Sequence, residues 1–111
     1  MKHTILLAAV MLLSAGCGSP RRAEPLVGPL ELRDSALQGR SVYEQHCFRC
    51  HDQGEGGLAP SLNDKPLPEF LVRMQVRAGL GAMPAFSEEH IDDQEMDALL
   101  DYLAALRAAG N

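Results

Sequence analysis

The chain has 111 residues, enough for one small domain and too few for two independent cores. It has no tryptophan, two tyrosines and three phenylalanines, so a core built from side chains alone would be thin and a non-protein group is expected to fill it. A formal charge of −5, with no basic cluster beyond Arg21 and Arg22, excludes a nucleic-acid binder, which needs a cationic face to displace counterions from phosphates.

In chain order, residues 1–16 read as an export signal. Lys2 supplies a positive start, Ile5 to Leu13 form an unbroken run of nine apolar residues, and small residues follow. Nine residues make a signal core but fall short of the roughly 20 that span a bilayer as a helix, so a permanent transmembrane anchor is not expected. The run ends in Leu13-Ser14-Ala15-Gly16-Cys17, which resembles a bacterial lipobox, although Ser14 stands where a larger aliphatic residue is usual. The resemblance implies that Cys17 takes a thioether-linked diacylglycerol and becomes the mature N-terminus; the other reading is a cleaved protein with an incidental cysteine. Residues 17–34, with Pro20, Pro25 and Pro29 and little helical periodicity, read as a lipid-anchored flexible linker. Extended like polyproline at about 3.1 Å per residue, Ser19 to Asp34 would reach roughly 50 Å. The domain itself is expected over 35–111.

Gly39 and Tyr43, four residues apart, would share one face of a helix. The string Cys47-Phe48-Arg49-Cys50-His51 comes next. A Cys-x-x-Cys pair alone serves a redox disulfide, half of a zinc site, or haem attachment. A thioredoxin-like motif should follow a strand in a βαβ pattern, yet no useful length of the chain alternates apolar and polar residues. A tetrahedral zinc site needs a fourth ligand, for which only His46 or His90 is available. Haem attachment needs two thiols spaced to meet two vinyl groups and an imidazole directly after them to reach the iron, and the pentapeptide has those groups in that order.

From about Ala36 to Leu106 the chain resembles the class I c-type cytochromes, especially the short bacterial ones. The resemblance implies an all-α fold of three main helices around one covalently attached haem c, with Cys47 and Cys50 as attachment points and His51 as an iron ligand. It implies that Gly39 and Tyr43 pack against the last helix. In the glycine-rich loop Asp52 to Leu62 it implies that Pro60 presents its carbonyl to His51 Nδ1, fixing the ring and increasing electron donation through Nε2.

Pro68 and Glu69 suit the first turn of a middle helix, with Phe70, Leu71 and Met74 on an apolar face and Gly79 to end it. Arg73 and Arg77, four residues apart, read as a solvated face. Leu80-Gly81-Ala82-Met83-Pro84-Ala85-Phe86 resembles the family's axial-methionine loop. Met83 lies thirty-two residues after His51, Gly79 and Gly81 permit the turns, and Pro84 stiffens the loop directly after the methionine. The competing thioethers, Met74 and Met96, stand at helical positions where methionine is usually core filler. The last helix is the clearest: Asp92 and Glu95 form a capping box, Ile91 and Met96 a hydrophobic staple, and Met96, Leu99, Leu100, Leu103 and Leu106 an apolar stripe. Tyr102 is similar to the aromatic that the family packs near the first helix, while Asp97, Asp101 and Arg107 are expected to face water.

Imidazole and thioether hold iron through a ferric–ferrous change with little rearrangement, which suits an electron carrier rather than an enzyme. The expected setting is the exported, periplasm-facing bacterial envelope, in a respiratory or dehydrogenase chain, with the membrane surface reached through lipid on Cys17. The chain is expected to be monomeric unless it belongs to a complex. Without the signal, fifteen acidic residues oppose nine basic ones, a net charge near −6 that favours redox-partner proteins with a basic docking patch. The alternative is a haem peroxidase or gas sensor in which Met83 is displaced from the iron.

Overall fold

The computed structural model describes residues 28–52, 57–65 and 67–110. The signal, Cys17, the linker up to residue 27 and the loop residues 53–56 lie outside the described residues. Among the described residues there are three helices and no strand, which is the expected all-α cytochrome c fold. They are α1, Asp34–His46; α2, Glu69–Ala78; and α3, Asp93–Gly110. None is long and apolar enough to cross a membrane.

Helix α3 organises the rest because its start is doubly specified. Asp92 N–H donates to Glu95 Oε2 at 2.9 Å and Glu95 N–H donates to Asp92 Oδ1 at 2.8 Å, so each residue satisfies an amide that helix geometry leaves without a partner. Ile91 and Met96 flank this box and both are fully buried in the core. Leu99, Leu100, Tyr102, Leu103 and Leu106 complete the buried side of the helix.

Helix α1 packs on that side through Ala36, Gly39, Val42 and Tyr43, spaced by three or four residues so that they share one face. Contact is closest at Gly39, where a Cβ would lie 1.8 Å from Ala98 O. Glycine thus brings the two backbones together, and one helical turn later the Tyr43 and Tyr102 rings meet at 5.1 Å between centroids, tilted by 57°. On the solvent side Arg40 Nε pairs with Glu44 at 2.8 Å.

Helix α2 differs from expectation. Its buried residue is Val76, with Val72 partly buried one turn earlier, while Phe70 and Met74 are exposed. Val72 and Val76 stand on the side of the helix away from Phe70, Leu71 and Met74, so the more continuous apolar face is not the one that meets the core. Met96 is core, as expected, but Met74 is not. Arg73 and Arg77 are also not a solvated face. Arg73 pairs with Asp97 and lies 3.7 Å from Asp93, and Arg77 lies 3.0 Å from Asp93. Asp93 and Asp97 have the same four-residue spacing on α3, so two matching charge rows join the helices.

Arg107 is likewise engaged: its guanidinium donates to Leu67 O at 2.8 Å and Lys65 O at 3.3 Å, fastening the chain before α2 to the last turns of α3. Of the segment expected to be flexible linker, residues 28–33 lie against the body. Gly28 N–H donates to Ala109 O at 3.1 Å, and Leu30 and Leu32 pack on the core.

Candidate haem-binding site

The end of α1 continues directly into the Cys-x-x-Cys-His string as hydrogen-bonded turns. Cys47 N–H donates to Tyr43 O at 2.8 Å, Cys50 N–H to Cys47 O at 3.1 Å, and His51 N–H to Cys47 O at 2.9 Å. Residues 47, 50 and 51 therefore have the i, i+3, i+4 spacing of one helical turn, which puts both thiols and the imidazole on one side. The Tyr43 hydroxyl donates to His51 O, so the ring that locks α1 to α3 also holds the backbone of the histidine.

His51 is buried, and its Nδ1 lies 2.8 Å from Pro60 O. With Nδ1–H donating to that carbonyl, Nε2 is the nitrogen whose lone pair is free to bind a metal. Pro60 is brought there by Ala59 N–H, which donates to Cys50 O at 3.0 Å and folds the loop back over the motif.

Cys47 and Cys50 are free thiols, Cys47 half-buried and Cys50 exposed. Burial, with a smaller contribution from neighbouring Cys50, pushes the Cys47 thiol up to about 12, so it stays protonated at neutral pH. A redox-active Cys-x-x-Cys pair has the opposite property, a thiol pulled down towards the thiolate. The histidines that a zinc site would recruit are engaged elsewhere: the His46 ring meets Phe86 edge-on at 5.6 Å, and His90 Nδ1 lies 2.9 Å from Ser87 Oγ.

Met83 is partly buried against the core. Gly79 ends α2 at φ 71°, where a Cβ would lie 2.6 Å from Met83 O, and Gly81 turns the chain at φ 57°. Leu80 and Met83 exchange backbone hydrogen bonds at 3.1 and 3.0 Å, closing the turn that carries the methionine. Gln75 Nε2 lies 3.9 Å from the Met83 sulfur, a weak N–H···S contact between α2 and the thioether. Phe86 N–H donates to Val76 O at 2.9 Å, returning the loop to α2.

Three contacts escape a reading of the sequence alone: Tyr43 with His51, Gln75 with Met83, and Arg77 with the backbone beyond the methionine. Each joins residues whose side-chain type is unremarkable and whose meeting depends on the turn between them. A cleft between Leu30, Tyr43, Phe48 and Tyr102 contains neither His51 nor Met83 and belongs to the α1–α3 seam.

A haem fits the residues present. Two thiols and a nitrogen donor share one turn, and a thioether stands on a separate loop. Large apolar side chains are exposed on the elements between them, Leu58 at 81%, Leu80 at 72%, Phe70 at 67% and Met74 at 58%. A flat apolar macrocycle would supply the cover that such side chains need.

Comparison with known proteins defines the class. Residues 34–103 match the family model described as cytochrome c oxidase, cbb3-type, subunit III. The cytochrome c subunit of 4-cresol dehydrogenase (hydroxylating) from Pseudomonas putida is 37% identical over 70 residues, covering 63% of this chain and 61% of that protein. Cytochrome c6 from Bryopsis maxima is 33% identical over 75 residues, covering 59% and 84%. A cytochrome c-553-like protein of Synechocystis is 28% identical over 105 residues, covering 90% and 97%. The match thus spans about three fifths of the length of the dehydrogenase subunit. No solved structure matches the chain. The chain belongs to the class I c-type cytochromes and binds one haem c covalently, with its iron.

Proposed function

We propose that Cys47 and Cys50 form the two thioether bonds to haem c, that His51 Nε2 and Met83 Sδ are the axial iron ligands, and that the protein passes single electrons in a bacterial envelope respiratory or dehydrogenase chain. The observation that carries this reading is the single turn holding Cys47, Cys50 and His51, with His51 Nδ1 fixed on Pro60 O at 2.8 Å. When bound, the haem supplies a one-electron ferric–ferrous couple. Around it the chain's residues hold still. Pro60 fixes the imidazole tautomer and orientation, Tyr43 anchors the backbone of His51, and the Leu80–Met83 pair keeps the thioether on a short closed turn. Ligands that do not move between oxidation states keep reorganisation small, and that favours electron transfer over chemistry at an open iron. The same closed turn weighs against a peroxidase or gas sensor, which would need Met83 to leave.

In this reading residues 1–16 direct export and Cys17 carries lipid, leaving a short tether before the docked segment that begins at Gly28. The P. putida relative, named as a dehydrogenase's cytochrome subunit, supports a role as a redox subunit that receives electrons from a catalytic partner. Denaturing acid-solvent extraction of protein matured in a competent host tests the attachment. Haem should remain on the polypeptide, and a Cys47→Ser, Cys50→Ser double variant should release it; full recovery of haem in the solvent from the parent protein would refute the assignment.

A further inference from the structure

We propose that Arg77 is a positioning residue that holds the Met83 loop closed and so keeps the thioether on the iron; this rests on the reading of Met83 as the sixth ligand. The loop from Gly79 to Phe86 leaves and rejoins the C-terminal end of α2. Its inner shape is set by the backbone pair between Leu80 and Met83, but that pair joins two parts of the loop to each other and would travel with the loop if it swung outward. Attachment to the body is a separate matter. Phe86 N–H donates to Val76 O, the His46 ring abuts Phe86, and the Arg77 guanidinium makes the widest connection.

Arg77 Nη1 donates to Ile91 O at 2.6 Å and to Phe86 O at 3.3 Å, and Nη2 donates to Asp93 Oδ1 at 3.0 Å. One side chain, 22% exposed, therefore joins α2, the exit of the methionine loop and the first turn of α3. The planar fork of arginine suits this because its donors diverge in one plane, and bonds from a charged donor are roughly twice as strong as neutral ones. Asp93 faces both arginines, which provides a built-in control. Arg73 pairs with Asp93 and Asp97 across the same two helices, and its bonds reach neither Phe86 O nor Ile91 O. If Arg77 only docks α2 on α3, the two arginines should be equivalent; if it clamps the loop, they should not.

An external ligand reaches the iron only from the fraction of molecules in which Met83 has left, so its apparent affinity measures that fraction directly. The experiment uses the full-chain haem protein in the ferric state, comparing the parent with Arg77→Gln, Arg77→Lys, Arg73→Gln and Met83→Ala. Imidazole affinity, the weak far-red absorption of iron–thioether ligation, and the urea midpoint of helix unfolding are read on each. Arg77→Gln should bind imidazole at least about tenfold more tightly than the parent and lose the far-red absorption at a urea concentration below its helix midpoint. Arg77→Lys should fall between them, since it keeps the charge beside Asp93 but not the fork. Arg73→Gln should lower the helix midpoint with parental imidazole affinity.

Imidazole affinity that rises equally in the Arg77→Gln and Arg73→Gln proteins, or in neither, would overturn the clamp. If Arg77→Gln yields no folded protein, the lysine variant decides, and parental imidazole affinity in it overturns the proposal. A parent without the far-red absorption, or a Met83→Ala protein that keeps it, refutes Met83 ligation itself and the clamp with it. That outcome differs from one in which Met83→Ala loses the band and the Arg77 variants behave as the parent.

Discussion

Gly39 and Ala98 approach so closely that a β-carbon on Gly39 would lie 1.8 Å from the Ala98 carbonyl oxygen. The contact sits one helical turn before Tyr43, whose hydroxyl holds the backbone of His51, so the crossing of α1 and α3 sets where the haem motif begins. Gly39→Ala gains up to about 1 kcal/mol of helix propensity. It loses more, because the obstacle is the α3 backbone at Ala98 and Leu99, which cannot rotate away; overpacking of this kind costs about 1–3 kcal/mol or more. A net fall in the urea midpoint is expected, together with a weaker far-red absorption if the crossing shifts the motif. A midpoint equal to or above the parent's would show that the helices can separate without cost.

Met74 and Met96 have the same side chain and opposite surroundings. Met96 is fully buried beside the α3 cap, and Met74 is 58% exposed on α2. Met96→Ala should cost about 2–5 kcal/mol in chemical denaturation, the usual range for emptying a core site. Met74→Ala should cost well under half as much. The reverse order would mean that α2 packs through a different face.

The Ser61 hydroxyl, 2.6 Å from Asp64 Oδ1, holds the Asp64 carboxyl below its ordinary value of 3.8, with Lys65 adding to the effect. A depressed folded-state value stabilises the fold above the ordinary aspartate range, and that contribution is lost as pH falls through the lowered value. Urea midpoints of the parent and Ser61→Ala, measured from pH 7 to pH 3, should therefore differ most at neutral pH and converge on acidification. The pH-dependent part should stay under about 1 kcal/mol, because Asp64 is exposed and well screened. A gap that widens towards pH 3 would contradict the assignment.

Cys17 lies outside the described residues, and its lipidation is decided by mass. The native N-terminal peptide should begin at Cys17 and carry a diacylglycerol. A mature chain starting elsewhere, or an unmodified cysteine, would remove the anchor while leaving the haem chemistry unaffected.

What the sequence alone determined is what depends on short separations. Cys47, Cys50 and His51 lie within one turn, so their spacing is already geometry. Asp92 and Glu95 cap a helix through neighbouring amides, and the stripe from Met96 to Leu106 states which side of α3 is buried. The tertiary structure decided what depends on long separations. Which side of α2 meets the core could not be read from periodicity, because Phe70, Leu71 and Met74 form the more continuous apolar face and yet the core takes Val72 and Val76 from the other side. Arg73 and Arg77 look like a solvated pair until Asp93 and Asp97 are set opposite them by the packing of α2 on α3. Residues 28–33, with proline nearby and no periodicity, read as tether, yet Gly28 bonds to Ala109 at the far end of the chain. The physical reason is the same in each case: local patterns fix the direction of a side chain relative to its own backbone, whereas its partner is chosen only when distant segments share one core.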